Sequence, residues 1–331
     1  MAATSCTYKE SSGGISEDGD AVAGGAGDTL ENGALANDAL GMRVGGGFFD
    51  LASFRAAEAQ LGGPIFHTVQ FTGRMSVQDM TGSAFGLFAG DDADLPLVAD
   101  ELDISVAVPL AFGRANSRTA DGRDQIAVNL AETAAGAHDA EYRRVGERIV
   151  EAGYPDAIIR LGHEFNGLWA PWSSRGNEAT FVAAWRHVHD VLSDVSPEFR
   201  FDWTTMRPDW ETWAPAAWPG DSYVDIVGLD MYWREGPWNP TLWASDYQPA
   251  LESHLAFARE HGKPVSFPEW AVAGDDVPQF VSTMAAWMNG LPTAGPGRLD
   301  YHAYFNTRAQ YLLGNYPESE ATFIRLFGSA S

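Results

Sequence analysis

From position 42 onward, short apolar runs alternate with amphipathic segments. The runs at 42–49, 65–71, 104–110, 157–161, 200–203, 224–229, 264–267 and 299–305 have the length and β-branched or aromatic content of buried strands. Between them, 51–60, 139–152, 178–193, 249–261 and 277–288 carry helical periodicity. In 139–152, Tyr142, Val145, Ile149 and Val150 share one face, and Gly153 stands at the position of a C-cap. The segment 72–100 reads as loop, with Gly82, Gly86, Gly90 and the acidic run from Asp91 to Asp94. Residues 1–40 are rich in Gly, Ala, Ser and acidic residues and lack periodicity. They are expected to form a low-complexity leader ahead of one domain over 41–331. Eight strands alternating with helices predict an α/β fold, a (β/α)8 TIM barrel, which typically takes about 250 residues. A doubly wound sheet would use the same alternation, but no GxGxxG follows an early strand, and Gly45-Gly46-Gly47 is too short to supply one.

Two strand ends carry carboxylates. The run 157–172 delivers His163, Glu164 and Asn166, then Trp169 and Trp172; the run 263–270 ends on Glu269 and Trp270. Glu164 and Glu269 lie 105 residues apart, which fits the ends of strands four and seven at about 30 residues per barrel unit. In a barrel such ends converge on one mouth, and two facing carboxyl groups are what glycoside hydrolysis requires: one as acid/base, one as nucleophile. The segment 224–233 adds Asp230, Tyr232 and Trp233. Tyr232 is placed to donate a hydrogen bond to Glu269 and favour its ionised form. Asn306, near Tyr304, closes the last strand. All 12 tryptophans fall between Trp169 and Trp287. Outside predicted helices stand Trp169, Trp172, Trp203, Trp210, Trp213, Trp218, Trp233, Trp238, Trp243 and Trp270. About half of these are expected to serve as flat platforms for sugar rings, with Trp172 and Trp203 foremost.

Metal and phosphate chemistry find no support in the spacing. His163-Glu164 opens like HExxH, but Gly167 takes the place of the second ligand, and no GxxxxGK[ST] or GxSxG occurs. No cofactor is expected. Cys6 is alone, so no intrachain disulfide can form. There is no apolar run approaching roughly 18 residues, so no membrane insertion is expected. A formal charge of −24 disfavours nucleic acid and points to a neutral substrate.

The run from Arg160 through His163-Glu164-Phe165-Asn166-Gly167 to Trp169 resembles the acid/base motif R-x-x-H-E-M/F-N-G-x-W of glycoside hydrolase family 26. The run Gly228-Leu229-Asp230-Met231-Tyr232 and the segment Pro268-Glu269-Trp270 are similar to that family's sixth strand and nucleophile segment, and the resemblance covers about residues 42–328. It implies a retaining (β/α)8 glycosidase with Glu164 as acid/base, Glu269 as nucleophile, His163 as a contact at the cleaved sugar and Tyr232 as partner of the nucleophile. Endo-cleavage of a neutral β-linked polysaccharide is expected, β-1,4-mannan first. β-Glucan, β-1,3-xylan or a bacterial envelope glycan, or a barrel that only binds polysaccharide, are the alternatives. Expected substrate contacts are His163, Asn166, Trp169, Trp172, Trp203, Asp230, Tyr232, Trp233, Trp270 and Asn306. A monomer at the cell surface or outside the cell is expected, although the opening residues lack the apolar core of a secretory signal.

Overall fold

A computed structural model of the chain describes residues 39–44, 49–88, 93–207 and 214–328. The apolar runs become strands β1 (Leu40–Val44), β2 (His67–Phe71), β3 (Asp103–Val108), β4 (Ile158–Leu161), β5 (Arg200–Met206), β6 (Ile226–Trp233), β7 (Val265–Val272) and β8 (Leu299–Asn306). Each runs parallel to its neighbour in sequence. β1 pairs with β8, Leu40 opposite His302 and Val44 opposite Asn306, which closes a (β/α)8 barrel. The expected leader lies outside the described residues except for Ala39 and Leu40, and Leu40 already belongs to β1.

Around the barrel run α1 (Leu51–Leu61), α2 (Val77–Phe88), α3 (Ala120–Ala134), α4 (Asp139–Glu151), α5 (Glu178–Ser193), α6 (Gln248–Glu260), α7 (Pro278–Asn289) and α8 (Pro317–Phe327). Asp50 caps α1 by accepting from the Ser53 amide at 2.8 Å, and Gly62 ends it at φ 70°. Three of these helices escape the periodicity. The sequence predicts loop at α2 because Gly82 and Gly86 break its pattern. α3 buries only Ile126, Leu130 and Thr133, too thin a stripe to stand out in an Ala-rich segment. α8 follows Pro317, where Phe323 and Phe327 cover the barrel beside Trp270.

Strand parity decides which side chains reach the mouth, because alternate residues face the barrel axis and the helix layer. On β5, Asp202 and Thr204 face inward. Asp202 accepts from Thr204 at 2.9 Å, Ser266 at 2.6 Å and Tyr301 at 2.7 Å. Gly228 packs against this network: a Cβ there would lie 2.4 Å from an Asp202 oxygen. On β7 strict alternation fails. Ser266 faces in and Phe267 packs outward on His254 of α6, so Glu269 should face out. One extra residue between Phe267 and Trp270, visible in the register against both β6 and β8, reverses the parity. This bulge turns Glu269 to the mouth and Trp270 to the helices.

Trp203, between inward-facing Asp202 and Thr204, points to the helix layer. It is fully buried, stacks on Phe257 at 5.4 Å and touches Phe165 and Trp218 at 4.8 and 5.0 Å. Trp203→Ala should therefore lower unfolding stability by about 3–5 kcal/mol, the range for emptying a buried aromatic site. Urea titration measures this; a loss under about 1 kcal/mol, with binding of long chains impaired instead, would place the indole in a binding cleft.

Candidate active site

The chain leaves β4 through two left-handed residues, Gly162 at φ 51° and Glu164 at φ 53°. Positive φ is costly for a side chain with a Cβ, so the neighbourhood must hold Glu164 in place. It does so from several directions. The Glu164 amide donates to the Thr204 carbonyl at 2.9 Å, and its carbonyl accepts from the Gly167 amide at 2.9 Å. The Asn166 side chain clamps the turn to the end of β5: its nitrogen donates to the Met206 carbonyl at 2.7 Å and its oxygen accepts from the Met206 amide at 2.9 Å. Trp169 Nε1 donates to Glu164 Oε2 at 2.7 Å, which fixes the carboxyl group itself.

Arg160, one turn of pleat earlier and fully buried, faces the axis. Nη2 donates to both Asp230 oxygens at 3.0 and 2.8 Å, Nη1 to Glu269 Oε1 at 3.0 Å and Nε to Thr204 at 3.1 Å. The other Glu269 oxygen accepts from Tyr232 at 2.7 Å. A buried guanidinium in a planar fork suits two carboxylates at once.

The two glutamates are driven apart in acidity. Burial, then the negative charge of Glu269, pushes Glu164 up to about 7, with Arg234 opposing. For Glu269, burial pulls the same way but is outweighed. The Arg160 charge and the hydrogen bonds from Tyr232 and Arg160 hold it below the usual carboxylate range. Such a split suits a proton donor and an ionised partner within one site. Burial and the nearby Arg160 charge push His163 down to about 3, so its ring is neutral near pH 7, and its buried Nδ1 lacks a hydrogen-bond partner. Burial pushes Asp230 upward, against the pull of Arg160.

Glu164, Glu269, His163, Trp169 and Tyr232 line a cavity of about 420 Å³ at the carboxyl ends of the strands. Asp230 is not among its lining residues; it is buried and bonded to Arg160. The remaining expected contacts are elsewhere. Asn166 is buried with both ends of its amide on Met206. Trp172 is buried behind His163 and donates to its carbonyl at 2.8 Å. Trp203, Trp233 and Trp270 face the helix layer by parity. Trp233 stacks on Trp238 and Tyr247, and Trp270 packs on Tyr304 and Phe323. Asn306 also faces outward and accepts from the Leu313 amide at 2.8 Å. Trp218, Trp238 and Trp243 pack on other aromatic rings, and Trp210 and Trp213 lie outside the described residues. Among the described residues, Trp169 is the indole that lines the cavity. Unforeseen lining residues are Phe71, Thr72, Arg74, Met206, Arg234, Phe305, Arg308 and Tyr311. Most follow strand ends in loops, where no period marks direction.

A family model described as "Glycosyl hydrolase family 26" matches residues 123–244, which carry Arg160, Glu164, Asp230 and Tyr232. Over that segment the chain is similar to glycoside hydrolase family 26. Endoglucanase H of Acetivibrio thermocellus is 26% identical over 218 residues, 61% of this chain and 23% of that protein. Mannan endo-1,4-beta-mannosidase A and B of Caldalkalibacillus mannanilyticus is 28% identical over 118 residues, 33% of this chain and 22% of that protein. The chain thus spans less than a quarter of either relative. In fold, it is similar to the modular endo-beta-1,4-mannanase of Cellulomonas fimi, with TM-score 0.61 and 17% identity over 87% of this chain and 71% of that one. The catalytic domain of a Bacillus sp. family 26 endo-beta-1,4-mannanase gives TM-score 0.59 and 18% identity, over 82% of this chain and 78% of that one.

The acidity split predicts a direct coupling between the two glutamates. By carbon-13 NMR titration Glu164 should lose its proton near pH 7. Glu269→Gln removes the negative charge that holds that proton, so the Glu164 midpoint should fall. An unchanged midpoint would show that the two carboxyl groups do not interact.

Proposed function

We propose that the chain is a retaining, endo-acting hydrolase of a β-linked polysaccharide, with a β-1,4-mannan backbone as the first candidate. The observation that carries this reading is the pair of glutamates in one cavity, one raised to about 7 and the other held ionised. Glu164 gives its proton to the oxygen between two sugar rings as the bond to the anomeric carbon breaks. Glu269 Oε attacks that carbon from the opposite face and forms a glycosyl ester. Glu164, now ionised, takes a proton from water as the water attacks the anomeric carbon, and Glu269 leaves as a carboxylate. Tyr232 and Arg160 hold Glu269 against rotation during attack and stabilise its charge when it returns. His163, neutral with a free Nδ1, is positioned to bond a sugar hydroxyl.

The mannan backbone and internal cleavage rest on the names of the relatives and structural neighbours, among which an endoglucanase also appears. β-Glucan is therefore the second backbone to try. A polymer of this size is met outside the cell or at its surface, which is where we place the enzyme, as a monomer.

Glu164→Ala and Glu269→Ala should each reduce kcat on polysaccharide by well over tenfold, as expected for groups that transfer the proton or form the covalent bond. An activated aryl glycoside, whose leaving group needs little protonation, should partly restore the first step in Glu164→Ala and not in Glu269→Ala. The pH profile of kcat/KM should fall on the alkaline side near pH 7, because Glu164 acts as acid only when protonated. Early NMR spectra should show the β-anomer as first product; the α-anomer would eliminate the glycosyl ester.

A further inference from the structure

The chain's net charge of −24 hides a cationic mouth. Arg74, Arg234 and Arg308 all line the cavity that holds Glu164 and Glu269. Among the described residues none of the three has a carboxylate within ion-pairing distance, whereas nearby Arg207 is paired with Glu235 and Asp246. Each guanidinium instead lies over an aromatic ring: Arg74 over Trp169 at 4.7 Å, Arg234 over Tyr232 at 4.4 Å and Arg308 over Phe305 at 6.0 Å. A guanidinium held near a ring rather than a carboxylate keeps N–H groups that can turn to a ligand. Arg234 spends one nitrogen on the Tyr311 hydroxyl at 2.6 Å. Trp169 hydrogen-bonds Glu164, and Tyr232 together with Arg160 hydrogen-bonds Glu269, so two of these cations sit one ring away from the two carboxyl groups.

This arrangement is unfavourable for a neutral sugar. The transition state of glycoside cleavage is oxocarbenium-like and gains positive charge. Three guanidinium groups around the cleft oppose that charge, while on the floor Arg160 is already matched by Asp230 and Glu269. A negative group on the substrate removes the conflict and gives the rim something to bind. The backbone points the same way: among the described residues the two non-glycine residues at positive φ are Glu164 and Arg308, at 53° and 56°. A conformation that glycine adopts freely is thus kept at the proton donor and at one rim arginine.

We propose that the substrate carries carboxylates, and that Arg74, Arg234 and Arg308 form the subsite that grips a carboxylate on a sugar next to the cleaved bond. Planar, bidentate N–H donation is the geometry by which arginine recognises a carboxylate. The proposal deepens the hydrolase reading by naming the substrate's charge class.

The test compares binding of three oligosaccharides to the Glu164→Gln variant by calorimetry: glucomannan fragments, the same fragments oxidised at C6 to uronates, and the same fragments sulfated at C6. The oxidised form should bind about tenfold or more tightly than the parent, as hydrogen bonds to charged groups allow. The preference should shrink as salt rises. Adding Arg74→Gln with Arg308→Gln should abolish it, while Arg308→Lys alone, which keeps the charge, should retain part of it. Thermal unfolding of each variant shows whether the barrel is intact. Equal or tighter binding of the parent overturns the proposal, and sulfated fragments binding as tightly as oxidised ones overturn its assignment to carboxylate. Turnover by the unmodified enzyme is read separately. Parent fragments cleaved through Glu164 and Glu269 without any acidic preference would leave the hydrolase reading standing and remove this one. A strong acidic preference with no cleavage of any form would do the reverse.

Discussion

Arg160 is the residue on which the site is built. Its guanidinium is fully buried and binds Asp230, Glu269 and Thr204, thereby tying β4 to β5, β6 and β7 at the level of the mouth. A charge placed so deep is tolerated only when its partners are complete. Here every partner is itself constrained. Thr204 also donates to Asp202, Asp230 shares the inward face of β6 with Tyr232, and Glu269 is aimed by the bulge in β7. The positive charge also sets the chemistry: it keeps Glu269 ionised in spite of burial and helps keep His163 neutral. Exchanging Arg160 for an apolar residue would strand two buried carboxylates, a defect on the order of 3–5 kcal/mol. It would also return Glu269 toward the protonated state, in which it could not serve as the proposed nucleophile.

The barrel was legible because parallel strands buried on both faces write themselves as apolar runs, and the spacing between Glu164 and Glu269 reports the number of units between them. The pair of carboxylates in the cavity is legible for the same reason, since both follow such runs. Direction was harder to read. Trp203, Trp233 and Trp270 each adjoin residues that face the interior, and one step along a strand reverses the face. Counting indoles near strand ends therefore overstated the platforms: these rings fasten helices to the barrel. On β7 even a careful count of alternation would have sent Glu269 outward, because the extra residue between Phe267 and Trp270 leaves no mark in composition. Asn166 is similar. Its position in the motif next to Glu164 suggests sugar contact, yet its amide is consumed in holding the turn to Met206.

Charge shows a different gap between sequence and site. The formal −24 favours a neutral substrate at long range, where the field follows net charge. Within a cleft the nearest few groups dominate, since exposed charges beyond about 10 Å are screened at ordinary ionic strength. Arg74, Arg234 and Arg308 come from loops after β2, β6 and β8, more than 70 residues apart in sequence in each case, so only closure of the barrel brings them together. An acidic surface around a basic mouth would orient the proposed anionic chain, repelling it elsewhere.

Glu164 and Glu269 divide one task by unequal surroundings. Glu164 receives a single neutral hydrogen bond, from an indole, and sits at the end of a strained turn. Glu269 receives a guanidinium and a phenol. A proton shared between them therefore resides on Glu164, and the charge of Glu269 helps to keep it there. In the proposed mechanism the charge of Glu269 disappears when it becomes an ester, and with it part of what holds the Glu164 proton. The pKa of Glu164 then falls toward that of an ordinary carboxylate, so the group is ionised at the stage when it would accept a proton from water. The alternation between acid and base thus needs no movement of the backbone, which the clamp from Asn166 and the bond to Thr204 would resist. It follows from placing two carboxyl groups close enough to feel one another and giving only one of them an arginine.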